Sequence, residues 1–402
     1  MSSELLGFST ELLKDSDALA TAEEIAQQPG LWRQLPDLLR AGGVHEWLEP
    51  LLAQPDLRII LTGAGTSAFA GEILAPALTR HTGRRVDAIA TTDLVSDPGS
   101  QLAEDRPTLL VSFARSGDSP ESAAATELAD QCLTDCHHLI LTCNPSGALA
   151  RGHRASGRSL VLVMPVAAND TGFAMTSSFT CMTASALLAL APGLLPAAGL
   201  ELLAGCAEQI LQTGGKFAKR LTGQGFDRVV YLGSGPLKGL AQESALKMLE
   251  LTAGRVATWH ESPLGFRHGP KSVINERTLV LAYLSADPYT RQYDEDIVVE
   301  LQALMGPDRV IAISGPVPAA GPLLEGRLAS PSEGRLASPS EGPLDGLDDA
   351  ARAVALVVLA QIVALHHSLA LGLTPDNPFP SGAVNRVVEG VTIHPHPAPM
   401  SS

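Results

Sequence analysis

Apolar positions along this chain follow two different rhythms. Over the first 50 residues they recur at helical spacing, as in Leu31-Trp-Arg-Gln-Leu-Pro-Asp-Leu-Leu-Arg40, and predict a helical segment. From Leu57 the texture changes to short, nearly all-apolar runs that alternate with longer helical stretches. The runs Leu57–Leu61, Val86–Ala90, Thr108–Phe113, His138–Thr142 and Leu160–Pro165 read as strands of a parallel sheet covered on both faces. An Ala- and Leu-rich helix, Ser178–Leu190, closes this unit. The pattern then restarts with strands Arg228–Ser234, Thr278–Leu284 and Arg309–Ile313, and the apolar helix Ala350–Leu371 closes it again.

The fold class that follows is α/β, with two tandem three-layer α/β/α domains built on parallel sheets. The expected divisions are an N-terminal helical segment (1–50), a first domain (51–205), a second domain (206–374) and a C-terminal tail (375–402). Inside the second domain the octapeptide Glu325–Ser332 is repeated as Glu333–Ser340, and its Pro, Ser and Gly content reads as a mobile surface insertion over 322–345.

Composition narrows the function classes. With 402 residues, 45% hydrophobic and 18% charged, the chain is an ordinary globular protein. A net charge of −15 leaves no broad basic face, so no nucleic-acid partner is expected. The helix Ala350–Leu371 carries Arg352, Gln361, His366 and His367 and reads as a core helix, so no membrane partner is expected either. Five scattered cysteines make no disulfide framework. The start Met-Ser-Ser-Glu-Leu-Leu lacks a signal-peptide pattern, and the expected location is cytoplasmic.

Three strand-to-helix turns carry hydroxyls where a parallel sheet binds its ligands. The first is Gly63-Ala-Gly-Thr-Ser67. In the second, Ser116-Gly-Asp-Ser119, Ser119 is a suitable N-cap and Pro120 a suitable first helical residue. The third is Asn169-Asp-Thr-Gly-Phe-Ala-Met-Thr-Ser-Ser178. Helix starts with added hydroxyls form anion cradles, and the absence of lysine separates these from a nucleoside triphosphate loop. Thr66, Ser67, Ser116 and Ser119 are therefore candidate phosphate ligands. Gly65, Asp170 and Thr176 are candidate substrate contacts. The first turn lacks the third glycine of a dinucleotide fingerprint, so no nucleotide cofactor is expected.

In the second domain Glu243, Lys247 and Glu250 fall on one helix face. They read either as a salt-bridged surface or as a site, and their apolar neighbours Ala245, Leu246, Met248 and Leu249 favour a site. In Trp259–Lys271, His260 and Glu261 are expected in the same loop as His268, which is free either to be solvated or to act as acid or base. No third and fourth ligand at useful spacing completes a metal site. The Cys132, Cys136, His137, His138 cluster is expected to pack in the core, with no metal or other cofactor.

Taken together, Gly-Thr-Ser, Ser116-Gly-Asp-Ser119, Glu-Ser-Ala-Leu-Lys and Arg-His-Gly-Pro resemble the sugar isomerase (SIS) family in its tandem form. Thr176-Ser-Ser-Phe-Thr180, Asp287–Tyr293 and the tail Asn385–Pro395 resemble its AgaS-type galactosamine-6-phosphate deaminase/isomerases. The resemblance implies two SIS domains, a sugar 6-phosphate substrate, and homodimers or larger homo-oligomers whose active sites form between domains and subunits. It implies that Thr66, Ser67, Ser116 and Ser119 hold the phosphate, that Glu250 shuttles a proton, that His268 opens the sugar ring, and that Glu243 and Lys247 support them. The glutaminase half of the related glucosamine-6-phosphate synthase is not expected here. That synthase's imine-forming tail lysine corresponds to Glu389, a further candidate contact. The expected reaction is galactosamine 6-phosphate to tagatose 6-phosphate and ammonia. A ketose/aldose isomerase without deamination, a glucosamine-6-phosphate deaminase and a non-catalytic sugar-phosphate sensor are the alternatives.

Overall fold

The computed structural model describes residues 4–317, 344, 346–382, 384–388 and 390–397. The 325–340 repeat and Glu389 lie outside the described residues. The chain forms two compact units. One combines Gly30–Asp170 and Ser177–Leu194 with the chain from Phe379. The other combines the chain up to Pro29 with Thr171–Thr176 and Leu195–Pro378. The division therefore differs from that expected from sequence. One continuous helix, Ala197–Thr222, runs through the expected boundary at 205–206. Residues 4–29 group with the later unit, and the described residues of the tail from Phe379 group with the earlier one.

A short antiparallel hairpin, β1 (Glu4–Leu5) and β2 (Phe8–Ser9), precedes the first helices. It turns on Gly7, whose φ of +88° suits glycine. The helical pattern of Leu31–Arg40 is broken into Gln28–Trp32 and Leu35–Ala41, with Pro36 in the first turn of the second piece.

The five-stranded sheet has the order β4-β3-β5-β6-β7, all parallel. Its strands are β3 (Arg58–Thr62), β4 (Val86–Ala88), β5 (Thr108–Ala114), β6 (Cys136–Thr142) and β7 (Ser159–Val163). Every residue of β3 and β5 is buried, which is why their central runs, Ile59–Leu61 and Leu109–Val111, are apolar without alternation. Ile60 and Leu110 face Leu94, Ala125 and Leu128 of the helices on one side. On the other side Gly71 of helix Thr66–Thr82 lies so near Leu61 and Ala88 that a Cβ would come within 3.2 Å of Leu61.

The four-stranded sheet, β11-β10-β8-β9, is also parallel. It comprises β8 (Arg228–Leu232), β9 (Ala257–Glu261), β10 (Thr278–Tyr283) and β11 (Val310–Ile313). Val230, Leu232, Val280 and Ala282 pack with Phe266 and with Ile297, Val298 and Leu301 of helix Pro288–Met305. Toward the opposite side, Tyr283 meets Ser244 of helix Pro236–Leu251 through a 2.8 Å hydroxyl pair.

The apolar helix Asp349–Ala370 is buried from Asp349 to Ser368. Its one arginine is neutralised inside the protein. Arg352 donates to Asp349 at 2.6 Å and to the carbonyls of Leu284 and Ser314. Near the other end, His366 Nε2 donates to the Leu6 carbonyl at 2.8 Å, and its ring lies 4.2 Å from that of Phe8. These contacts dock the hairpin.

Burial pushes the His366 imidazole down to about 4 from an ordinary 6.5. Between those values the unfolded chain binds a proton that the native chain refuses, so the group's contribution is lost as pH falls below 6.5. His366→Gln keeps a donor for Leu6 but does not titrate. From pH 7 to pH 5 the native protein should lose about 2 kcal/mol more stability than the variant. Chemical unfolding followed by circular dichroism at both pH values measures this difference.

Candidate functional site

The candidate phosphate ligands of the five-stranded unit sit at the carboxyl ends of β3 and β5. After β3 the chain turns on Gly63 and Gly65. A Cβ on Gly63 would lie 2.6 Å from the Ser67 backbone, and Gly65 has φ +54° and ψ −127°. Only glycine accommodates both demands, and helix Thr66–Thr82 starts at once. Thr66 and Ser67 are buried at its first turn, while Gly65 is exposed.

After β5 comes the second turn, with Gly117 at φ +65°. Its shape is fixed by residues far along the chain. Asp118 accepts from the Ala148 N–H at 2.9 Å and from Asn144 Nδ2 at 3.2 Å, and Asn144 also donates to the Ser116 carbonyl at 3.0 Å. Leu149 N–H donates to the Gly117 carbonyl at 2.9 Å. Ser116 and Ser119 are half-buried. Ser119 occupies the N-cap position but does not cap through its side chain, because its hydroxyl pairs with that of Ser122 at 2.6 Å. Cap chemistry at a helix start is local competition, and here the hydroxyl one turn on wins. Arg115, just before Ser116, is buried and donates to the Arg386 carbonyl at 2.8 Å. Arg386 in turn donates to the Asp170 carbonyl.

The third turn is not an open cradle. Asp170 is fully buried and accepts from the Ser177 and Ser178 N–H groups at 2.9 Å each and from the Ser178 hydroxyl. Its carboxylate itself satisfies the start of helix Ser177–Leu190, and the Thr171 hydroxyl is engaged by Glu24 at 2.8 Å. Thr176 is also fully buried.

The four-stranded unit repeats the first turn almost angle for angle. Gly235 has φ +53° and ψ −127°, and a Cβ on Gly233 would meet the Leu237 carbonyl oxygen at 2.2 Å. Here, however, carboxylates of the chain fill the turns. Ser234 donates to Asp294 at 2.5 Å, and Asp294 also accepts from the Ser285 N–H at 2.8 Å. Burial pushes Asp294 up to about 6. The Ser285 hydroxyl and the Ala286 N–H bind Asp349.

From this turn runs helix Pro236–Leu251, which carries the charged face. Glu243 and Lys247 have fully buried side chains, with Lys247 Nζ 3.6 Å from Glu243 Oε1. Lys247 also donates to Glu250, whose side chain is 24% exposed. The arrangement is a buried ammonium between two carboxylates, one internal and one open to solvent. A buried ammonium without a partner would cost several kcal/mol, so this lysine holds its carboxylates firmly.

His268 is exposed, in the turn that follows helix Pro263–Phe266 and precedes Gly269 at φ +116°. His260 and Glu261, expected in the same loop, belong instead to the edge strand β9, in register with Tyr231 and Leu232. Burial pushes the His260 imidazole down.

Strand β6 begins at Cys136, which places Cys136 and His138 on one face by strand alternation. Asp130, Cys136 and His138 are within ligand distance of one another. His138 Nε2 bonds Asp130 at 2.8 Å, and burial pushes the Cys136 thiol up to about 12.

Comparison with known proteins agrees with this architecture. Residues 51–192 match the SIS domain. A Streptomyces coelicolor AgaS protein is 56% identical, over 94% of this chain and 96% of its own length. The D-galactosamine-6-phosphate deaminase AgaS of Escherichia coli is 48% identical over 93% of this chain and 95% of its own. The crystal structure of tagatose-6-phosphate ketose/aldose isomerase from Escherichia coli superimposes with a TM-score of 0.81 at 43% identity, covering 94% and 97% of the two chains. The chain belongs to the SIS-domain family, in its AgaS branch.

Sequence reasoning did not single out Arg115, Asn144 or Gly147. Gly147 is the most constrained, since a Cβ there would stand 2.3 Å from the Ser116 carbonyl oxygen. Gly147→Ala should displace the Ser116 turn and weaken binding of inorganic phosphate at least about 10-fold while the protein stays folded. Isothermal titration, with circular dichroism as the folding check, measures it.

Proposed function

We propose that this protein is a deaminating isomerase that converts D-galactosamine 6-phosphate and water to D-tagatose 6-phosphate and ammonia. The observation that carries the reading is the solvent-open carboxylate of Glu250, held by the fully buried ammonium of Lys247. The AgaS deaminase relatives, at up to 56% identity, support the choice of substrate class. The phosphate is taken by the Thr66–Ser67 and Ser116–Ser119 turns, where helix starts offer N–H groups to an anion. The corresponding turns of the four-stranded unit are filled by Asp294 and Asp349, which repel one. Gly65 and Glu389 stay candidate contacts in this reading.

The chemistry follows in three steps. His268 moves the proton of the C1 hydroxyl to the ring oxygen, which opens the pyranose and exposes the C1 aldehyde. Glu250 removes the C2 proton, made acidic by that carbonyl, and returns a proton to C1, while the amine nitrogen gives up one proton and O1 takes one, leaving a C1 hydroxymethyl group. The C2 amine is then an imine, and water hydrolyses it to the ketose with release of ammonia. Lys247 and Glu243 hold the Glu250 carboxylate in position throughout. We place the reaction in the cytoplasm, in a homodimer or larger homo-oligomer, in keeping with an acidic chain whose five cysteines are all unpaired thiols.

A second reading is a ketose/aldose isomerase acting on the 2-hydroxy sugar, favoured by the similarity to the tagatose-6-phosphate isomerase structure. The same proton shuttle serves both. Ammonia and ketose are measured together on galactosamine 6-phosphate, glucosamine 6-phosphate and tagatose 6-phosphate. Ammonia released with the galacto substrate is the expected result, and ketose–aldose interconversion without ammonia from either amino sugar supports the second reading instead. Turnover of none of the three would sink both.

Glu250→Gln keeps the shape but removes the base. It should lower kcat by about 100-fold or more while leaving phosphate affinity within about twofold. Steady-state kinetics and phosphate titration of the variant test the assignment.

A further inference from the structure

The turn that carries His268 is held from outside by one carboxylate. Glu300 lies on helix Pro288–Met305, and its two oxygens serve two cations. Oε2 accepts from Arg267 Nε at 2.7 Å, and Oε1 accepts from Lys271 Nζ. Arg267 immediately precedes His268, and Lys271 follows it by three residues. Between the two cations the backbone passes through Gly269 at φ +116°, a conformation with wide freedom before it is fixed. Within the turn, short-range main-chain bonds define the local bend: His268 N–H to the Gly265 carbonyl at 2.9 Å and Ser272 N–H to the Gly269 carbonyl at 3.0 Å. They do not tie the turn to the rest of the unit. Phe266 does so at its near end, buried in the core with Ile297 and Leu301 of the same helix. On the far side of His268, Val273 and Ile274 pack on the same core and Arg228 donates to the Val273 carbonyl at 2.9 Å, and the Lys271–Glu300 bond adds a polar tie nearer to His268.

We propose that Glu300 is the positioning residue for His268, clamping the turn through Arg267 on one side and Lys271 on the other. This assignment rests on the reading of His268 as the group that opens the sugar ring. A ring-opening acid–base group must reach both the C1 hydroxyl and the ring oxygen, and an exposed imidazole on an unclamped turn would sample many other positions. Each ion pair is about a third exposed and alone would contribute little. Shared on one carboxylate, the two pairs bracket the catalytic side chain. The bonds from Lys271 and Arg267 outweigh burial and hold the Glu300 carboxyl below its ordinary range, so the clamp is charged at neutral pH.

The test is a double-mutant cycle in the full-length protein with Glu300→Gln, His268→Asn and the double variant, read as kcat and KM for deamination. Glu300→Gln should lower kcat by about 10-fold with KM within about twofold, and should speed hydrogen exchange in 263–273 while leaving 278–283 unchanged. In the His268→Asn background it should lower kcat no further. Glu300→Asp should recover part of the loss, and Arg267→Gln and Lys271→Gln should each reproduce part of it. An unchanged kcat in Glu300→Gln overturns the assignment. So does a 10-fold loss repeated in full on top of His268→Asn, because Glu300 then acts other than through His268. If His268→Asn alone keeps full turnover, the reading of His268 fails and the assignment falls with it.

Discussion

In both units the first strand of the sheet centre ends on a glycine that the next helix presses against. Gly63 has no room for a Cβ beside Ser67, nor Gly233 beside Leu237, and Gly65 and Gly235 share φ and ψ within a degree. That close approach turns the chain from strand to helix in three residues. It points the start of each helix at the carboxyl edge of its sheet, where a parallel arrangement gathers the ends of every strand. Hydroxyls, carboxylates and N–H groups that chemistry needs are collected there by backbone geometry before any side chain is chosen.

The two copies of this turn have been put to different use. In the five-stranded unit the neighbouring turn leaves Ser116 and Ser119 half-buried, and its one carboxylate, Asp118, is engaged by Ala148 and Asn144. In the four-stranded unit Asp294 and Asp349 take the positions an external anion would otherwise compete for. What that unit offers instead is the helix beyond the turn, with Lys247 buried between Glu243 and Glu250. Pulling the buried ammonium away from its carboxylates would leave a buried charge uncompensated, which is strongly destabilising. In the proposed reaction one unit would hold the anion and the other would move the proton.

Much of this was legible in the chain. Runs such as Thr108–Phe113 announced buried parallel strands, and the face shared by Glu243, Lys247 and Glu250 was visible from spacing alone. β9 was missed because it is an edge strand in which Thr258, His260 and Glu261 interrupt the apolar signal. Asp170 looked like part of a ligand turn because sequence shows a carboxylate beside hydroxyls but not that the hydroxyls are buried against it. The packing of residues 4–29 with the later unit depends on contacts such as His366 with Leu6, separated by 360 residues. Glu300 was invisible for the same reason, since the cations it holds lie about 30 residues upstream and a lone helical glutamate carries no pattern.

The proposed function requires one substrate to meet both the hydroxyl turns and the Glu250 carboxylate. A crystal structure of the Glu250→Gln variant with galactosamine 6-phosphate addresses it directly. The account predicts the phosphate against Ser116, Ser119 and the first-turn N–H groups of helices Thr66–Thr82 and Pro120–Cys132. It predicts C2 of the sugar within about 4 Å of the residue 250 side chain. A phosphate seated on the Ser234 or Ser285 turn, or a sugar whose C1–C2 edge lies away from residue 250, would contradict it.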